Sequence, residues 1–148
     1  MFKNILVPTD LSKFSVRAVQ PALDMVQRYK GMLHLLYVYE PVYELPSLKE
    51  LVTHEFKDKM RIVAEDGLGE FVSLYLPKGA KVHQMVIPGN ISDVVVDVGE
   101  RMEMNLIVMA AHNRKGIERY FISSTTERVI RNSHCSVMVI RPPEGQEE

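Results

Sequence analysis

The sequence has a single cysteine, Cys135, and a net charge of only −1. One cysteine excludes a disulfide within the chain and a cysteine-based metal cluster, and it favours a reducing, cytoplasmic location. Because the chain is nearly neutral, we expect no nucleic-acid partner, which would need a strong basic surface. No apolar run comes close to the roughly 20 residues of a membrane span, so we expect no membrane association either.

The sequence does contain five short apolar runs, separated by longer segments. The runs are Ile5–Val7, Leu33–Val38, Val82–Ile87, Leu106–Met109 and Val137–Ile140. The first, fourth and fifth are continuous rather than alternating, which is typical of parallel strands covered by helices on both faces. The first run lies within residues 1–10, so we expect a strand there rather than a signal peptide.

Between the runs, apolar residues recur every three or four positions, which predicts four helices. The predicted helices run from Ser12 to Tyr29, from Lys49 to Leu76, from about Ser92 to Met102, and onwards from near Ser124. We expect Ser12 to cap the first helix and Pro21 to kink it. In the second helix, we expect the core-facing residues to be Val52, Phe56, Met60, Val63, Phe71 and Leu74. In the fourth we expect Val129 and Ile130 to be buried.

Strands that alternate with helices over 148 residues predict one doubly wound α/β domain with a parallel sheet. We expect it to span residues 1–142, with residues 143–148 as an acidic, flexible tail. In such sheets ligands bind beyond the carboxyl ends of the strands, where the strand order reverses. Residues 8–10, the loop after Val38 and the segment from Met109 to Ser124 should meet at this edge.

The segment after Met109 ends at a predicted helix start made of Ser123, Ser124 and Thr125. The free backbone N–H groups and the dipole of a helix N-terminus favour an anion, and hydroxyl groups add donors. The same residues have a structural explanation, because Ser124 with Glu127 matches a capping box. The two interpretations are compatible.

Four motifs resemble the universal stress protein family over nearly the whole chain. They are ILVPTD at residues 5–10, VIPG at 86–89, NLIVM at 105–109 and CSVMVIR at 135–141. The resemblance implies a Rossmann-like, five-stranded parallel sheet of the adenine nucleotide alpha hydrolase type, with strand order 3-2-1-4-5. It also implies a homodimer that pairs through its last strand, residues 136–141. ATP or AMP is the cofactor that it suggests, with magnesium only if ATP binds.

In the ATP-binding branch of that family, the fourth strand leads into a loop of the form G-x2-G-x9-G-S/T. In this sequence the glycine positions fall on Ala110, Asn113 and Ser123, and the hydroxyl position on Ser124. Asn113 is the mildest replacement, because asparagine adopts left-handed backbone conformations readily. At Ser123 a positive φ would cost roughly 1–2 kcal/mol, whereas a negative φ would leave the hydroxyl available to a phosphate.

The resemblance, together with the strand ends, defines a set of candidate nucleotide-binding residues. They are Pro8, Thr9, Asp10, Val38, Met109, Ala110, His112, Asn113, Arg114, Ser123, Ser124 and Thr125. Asp10 is either a contact to adenosine or a cap of the first helix, with Ser12 as its rival. We predict no catalytic residue, because His112 has neither a nucleophile nor an orienting carboxylate beside it in the sequence. The histidine spacing predicts no metal site.

Three functions remain open from the sequence. The first is a non-enzymatic, dimeric stress-response protein with a weak or vestigial adenine-nucleotide pocket, as the resemblance implies. The second is a functional ATP- or AMP-binding switch. The third is a slow nucleotide hydrolase. Loss of the loop glycines favours the first.

Overall fold

The structure, a computed structural model, describes residues 1–41, 46–47, 52–111 and 122–142. Five strands alternate with four helices along these residues. The strands are β1 (Asn4–Thr9), β2 (Met32–Tyr39), β3 (Val82–Pro88), β4 (Leu106–Ala110) and β5 (Ser136–Ile140). The helices are α1 (Val16–Tyr29), α2 (His54–Tyr75), α3 (Ile91–Arg101) and α4 (Ser124–Asn132).

All five strands pair in parallel in one sheet, in the order β3-β2-β1-β4-β5. The chain builds one half of the sheet outwards from β1, and then crosses over to begin the other half at β4. The strand order therefore reverses between β1 and β4, and β3 and β5 form the two edges of the sheet. This confirms the predicted doubly wound α/β fold and its strand order.

The core lies on both faces of the sheet. In β1, Ile5 and Val7 pack in a cluster with residues of α1 and α2, whereas Leu6 packs in a second cluster with residues of α3 and α4. All three side chains are fully buried. Successive side chains of a strand point to opposite faces, so a strand covered on both sides must be apolar at every position. This explains the continuous run that predicted the strand.

Helix α1 begins at Val16, later than the predicted start at Ser12. Its N-cap is Ser15, whose side chain makes no capping hydrogen bond. The delay arises at Leu11, whose φ of +65° is left-handed and turns the chain before a helix can form. The helix then continues through Pro21 to Tyr29. The predicted kink at Pro21 stays a prediction.

Helix α2 begins at His54 after the N-cap Thr53, so Val52 is not part of it; Lys49, the predicted start, lies outside the described residues. The predicted core-facing stripe was largely wrong. The buried residues of α2 are Ala64, Leu68 and Phe71, and only Phe71 belongs to the predicted stripe. The stripe members Phe56, Val63 and Leu74 are 45%, 71% and 67% exposed.

The predictions for the later helices were closer. Helix α3 lies within one residue of its predicted bounds at each end, and α4 starts at Ser124 as predicted. Val129 is fully buried, but Ile130 is 45% exposed, so its predicted burial was wrong. In the described parts of the chain, no helix is both long enough and apolar enough to cross a membrane. The predicted tail boundary at residue 143 lies beyond those parts and stays a prediction.

Candidate functional site

Strands β1 and β4 part at the carboxyl edge of the sheet, and the space between their ends is the candidate ligand crevice. The two strands pair at Ile5–Leu106 and at Leu6–Ile107. Beyond these pairs β1 continues to Thr9, paired with β2, and β4 continues to Ala110, paired with β5. Within the described residues, the last parts of β1 and β4 thus pair outwards and not with each other. Strands that part where the strand order reverses form the usual ligand crevice of doubly wound sheets.

Thr9 closes the β1 side of the crevice with a buried hydroxyl. Its Oγ1 lies 2.6 Å from Oγ of Ser15, at the start of α1, and accepts a hydrogen bond of 3.0 Å from the N–H of Leu11. Both Thr9 and Ser15 are buried. These bonds hold the left-handed turn at Leu11, a conformation that costs a non-glycine residue about 1–2 kcal/mol. Thr9 therefore shapes the loop, and its hydroxyl already has partners in the protein.

Asp10 lies exposed at the mouth of the crevice. Its Oδ1 accepts hydrogen bonds from the N–H of Ser12 at 2.9 Å and from Oγ of Ser12 at 2.6 Å. Such an Asx-turn fixes the carboxylate above the loop. Neither Asp10 nor Ser12 caps α1, since the helix begins after Ser15, so the capping explanation for both residues was wrong.

Val38 and Met109 lie near the carboxyl ends of β2 and β4, and each is 7% exposed. Both pack in the cluster beneath α3 and α4. Their apolar side chains therefore form part of the floor near the crevice, and they offer a ligand no polar contact. Next to β2, Gly89 donates its N–H to the carbonyl of Tyr39 at 3.0 Å, and its φ of +143° suits only glycine.

Ser123, not Ser124, caps α4. The Oγ of Ser123 accepts the N–H of Thr126 at 3.2 Å and lies 2.9 Å from the hydroxyl oxygen of Thr126. Glu127 forms an ion pair with Arg131. The predicted capping box of Ser124 and Glu127 was therefore wrong by one residue. The first N–H groups of a helix have no acceptor within it, so those of Ser124 and Thr125 remain available to water or an anion.

Two of the three replaced glycine positions lie in the described residues, and neither needs glycine for its backbone. Ser123 has a φ of −59° and a ψ of 152°, which any residue adopts. Ala110 is the last residue of β4 and is half-buried. At these positions, what the replacements change is the room for a ligand: each adds a Cβ where the backbone could otherwise approach it closely.

Among the described candidates, Pro8, Thr9 and Ala110 lie at the carboxyl ends of β1 and β4, Asp10 follows β1, and Ser123, Ser124 and Thr125 lie at the start of α4. His112, Asn113 and Arg114 lie outside the described residues. Among the residues that are described, no group of three or more histidine, cysteine, aspartate or glutamate side chains could hold a metal ion. Sequence reasoning missed Leu11 and Ser15, neither of which carried a recognisable signal, whereas Gly89 was part of the VIPG motif at residues 86–89.

The fold defines the chain as a doubly wound α/β protein, with its candidate ligand site at the point where strand order reverses. The chain belongs to the universal stress protein family, whose sequence profile matches residues 1–141.

Individual relatives agree with this assignment. A universal stress protein of Methanocaldococcus jannaschii is 28% identical over 150 residues, which cover 99% of this chain and 86% of the relative. Among solved structures, the universal stress protein UspA from Lactobacillus plantarum is 27% identical, with a TM-score of 0.73 and coverage of 95% and 98% of the two chains. The universal stress protein from Archaeoglobus fulgidus, solved in complex with dAMP, has the same fold at 17% identity, with a TM-score of 0.67 and coverage of 95% and 99%.

Proposed function

We propose that the chain is a non-enzymatic stress-response protein whose crevice between β1 and β4 binds an adenine nucleotide weakly. The observation that carries the proposal is the parting of these two strands over Val7–Thr9 and Val108–Ala110. The crevice has a polar wall on each side, from Asp10 and from the start of α4. The dAMP complex of the Archaeoglobus fulgidus relative supports an adenine nucleotide as the ligand class.

The adenosine end of the ligand is the better supported of its two ends. The carboxylate of Asp10 is held by Ser12 in one orientation at the mouth of the crevice. A fixed carboxylate at a strand end is well suited to accept hydrogen bonds from a ribose or an adenine amino group. Because the turn at Leu11 is held by Thr9, this wall is formed before a ligand arrives.

The phosphate end has room for fewer contacts. In the described residues, the groups that could contact phosphate are the two free N–H groups of Ser124 and Thr125 and the hydroxyl of Ser124, all at a helix N-terminus. Cβ atoms at Ala110 and Ser123 reduce the approach of a polyphosphate to the backbone. We therefore expect a nucleoside monophosphate to bind at least as well as ATP. A nucleotide-dependent switch driven by ATP would require the opposite order.

The absence of catalysis is part of the same proposal. The described candidate residues supply hydroxyl groups and one carboxylate, but no histidine or cysteine that could act as a base or nucleophile. A slow hydrolase would release phosphate from ATP at a rate that depends on Asp10 or His112. Phosphate release that is abolished by Asp10→Asn would therefore contradict the non-enzymatic proposal.

The cytoplasmic location rests on the lone thiol. Cys135 is half-buried just before β5, and burial raises the pKa of its thiol. Such a thiol reacts slowly, and the sequence has no second cysteine with which it could form a disulfide within the chain, so the chain needs no oxidising compartment to fold. The dimer belongs to the same proposal: β5 is an edge strand, and its residues Val137–Ile140 are apolar yet only half-buried.

Nucleotide binding is tested by calorimetry and thermal unfolding with AMP and with magnesium ATP. A ligand at 100 times its dissociation constant should stabilise the fold by about 2.7 kcal/mol. Asp10→Asn, which keeps the side-chain shape, should weaken AMP several-fold. Asp97→Asn is the matched control, since Asp97 is half-exposed and pairs with Arg101 on α3. Absence of binding at millimolar nucleotide would contradict the proposal, as would equal effects of the two substitutions.

A further inference from the structure

Two histidines face each other on neighbouring strands near the amino end of the sheet. His34 in β2 lies directly opposite His83 in β3 in the parallel register, so both side chains extend from the same face. Their Nδ1 atoms are 3.1 Å apart. The two rings are nearly perpendicular, at 79°, with centroids separated by 5.2 Å.

Two imidazole nitrogens at this distance need either a hydrogen atom or a cation between their lone pairs. Without a ligand, one Nδ1 must carry a hydrogen and the other must accept it. A metal ion can replace that hydrogen. With Zn–N bonds of about 2.0–2.1 Å, two nitrogens on one tetrahedral or octahedral ion lie about 2.9–3.4 Å apart. The observed 3.1 Å falls within this range.

Solvent reaches the pair through His83. His83 is exposed on the edge strand, which gives an ion access from solvent and leaves the ring free to rotate towards it.

We propose that His34 and His83 form a two-imidazole site for a divalent first-row transition metal ion such as Zn²⁺ or Cu²⁺. In the described residues no third histidine, cysteine or carboxylate completes a cluster, so water occupies the remaining coordination positions. The site is separate from the crevice, because His34 precedes Val38 by four residues of β2, about 13 Å along the strand.

The surroundings of His34 limit the affinity. When Nδ1 binds the metal, Nε2 carries the hydrogen, and this buried Nε2 has no hydrogen-bond partner in the described residues. Histidine ligands usually donate this hydrogen to an acceptor, and loss of that acceptor typically weakens metal binding 10- to 100-fold. We therefore expect binding weaker than that of a structural zinc site, and Cu²⁺ binding tighter than Zn²⁺.

Calorimetric titration of the EDTA-treated full chain with Zn²⁺ tests the site, alongside spectra of ¹⁵N-labelled histidine side chains. One Zn²⁺ per chain should bind, and the Nδ1 signals of both His34 and His83 should shift. His83→Gln, which changes an exposed residue, should abolish the site, as should His34→Gln. His134→Gln is the control, because His134 lies 3.6 Å from Glu100 and is another potential surface ligand.

Binding that is retained in His134→Gln and lost in both other variants supports the two-imidazole site. Binding that survives His83→Gln, or no binding to the wild-type chain at millimolar Zn²⁺, overturns it. In the latter case the pair would hold only a shared hydrogen. None of these results depends on a nucleotide, so the metal site and the nucleotide crevice succeed or fail separately.

Discussion

At the residue scale, the start of α4 shows how a single hydroxyl can be assigned to structure or to ligand. Ser123 and Ser124 are adjacent serines, and the sequence pattern favoured Ser124 as the cap because Glu127 follows at the right distance. In the structure, Ser123 accepts the N–H of Thr126, and Ser124 is exposed. The helix uses one serine for its own stability and leaves the other exposed at its first turn.

This division of roles predicts different effects for two alanine substitutions. Ser123→Ala removes the cap and should lower the free energy of unfolding by about 1 kcal/mol. Ser124→Ala should change it by less than about 0.5 kcal/mol, the usual range for a surface position. Urea denaturation of the two variants measures both values. Equal losses, or a larger loss in Ser124→Ala, would contradict the assignment of the cap.

The replaced glycines also make a prediction at this scale. Because Ser123 has an ordinary φ, glycine there relieves no backbone strain and changes only the room for a ligand. Glycine is also a tolerated N-cap, at a cost of a few tenths of a kcal/mol. The triple variant Ala110→Gly, Asn113→Gly, Ser123→Gly should therefore bind magnesium ATP at least several-fold more tightly, with little change for AMP.

Competition titrations with both nucleotides test the triple variant. An unchanged ratio of ATP to AMP affinity would mean that the replaced glycines do not limit polyphosphate binding. Asn113 lies outside the described residues, so the double variant Ala110→Gly, Ser123→Gly serves as the control that isolates the two described positions.

At the scale of helices and strands, the buried strands were the easiest elements to predict. Ile5–Val7 and Leu106–Met109 are apolar at every position because helices cover both faces of the sheet. The core face of α2 could not be predicted in the same way. Its sequence carries two overlapping apolar stripes offset by one residue, about 100° around the helix: one with Val63, and one with Ala64, Leu68 and Phe71. Only contact with the sheet decides between them.

The predicted start of α1 was wrong for a different reason. The helical spacing of apolar residues extends back to Phe14, but the left-handed turn at Leu11 delays the helix. Nothing about leucine predicts a positive φ, since the conformation depends on the hydroxyl of Thr9 and on packing of the loop. The candidate site was predictable in location, from strand order, but not in these contacts.

Two glycines illustrate how the connections between elements limit substitution. Gly31 joins α1 to β2, and a Cβ there would lie 2.3 Å from the carbonyl oxygen of Lys3. Gly31→Ala should therefore destabilise the fold, by about 1–3 kcal/mol, because the backbone of Lys3 must shift. Gly69 lies within α2 with nothing within 4 Å of its added Cβ, so Gly69→Ala should stabilise the fold by about 0.5–1 kcal/mol. Thermal unfolding of the pair measures both, and destabilisation by both alike would contradict this packing.

At the scale of the whole molecule, the sheet has two edges that differ in chemistry. The β3 edge carries His83 and Gln84, which are polar and exposed, whereas β5 is apolar and half-buried along Val137–Ile140. Polar residues protect an edge strand from association, and an apolar edge invites it. The proposed dimer therefore uses β5, with a two-fold axis beside it.

A lysine on each edge tests this dimer. Val139→Lys should convert the dimer to a monomer, and Gln84→Lys on the opposite edge should leave it unchanged. Light scattering after size-exclusion chromatography measures the mass of each variant. A wild-type monomer at micromolar concentration would contradict the dimer, and so would a dimer that persists in Val139→Lys.

Binding of an adenine nucleotide in the crevice is tested most directly by amide chemical shifts during a titration with AMP. The expected result is saturable shifts confined to the carboxyl edge, at Asp10, Leu11, Ala110, Ser124 and Thr125, with His34 and His83 unaffected. Saturation should require no more AMP than magnesium ATP. No shifts at millimolar AMP, or shifts centred away from β1 and β4, would contradict the proposed function.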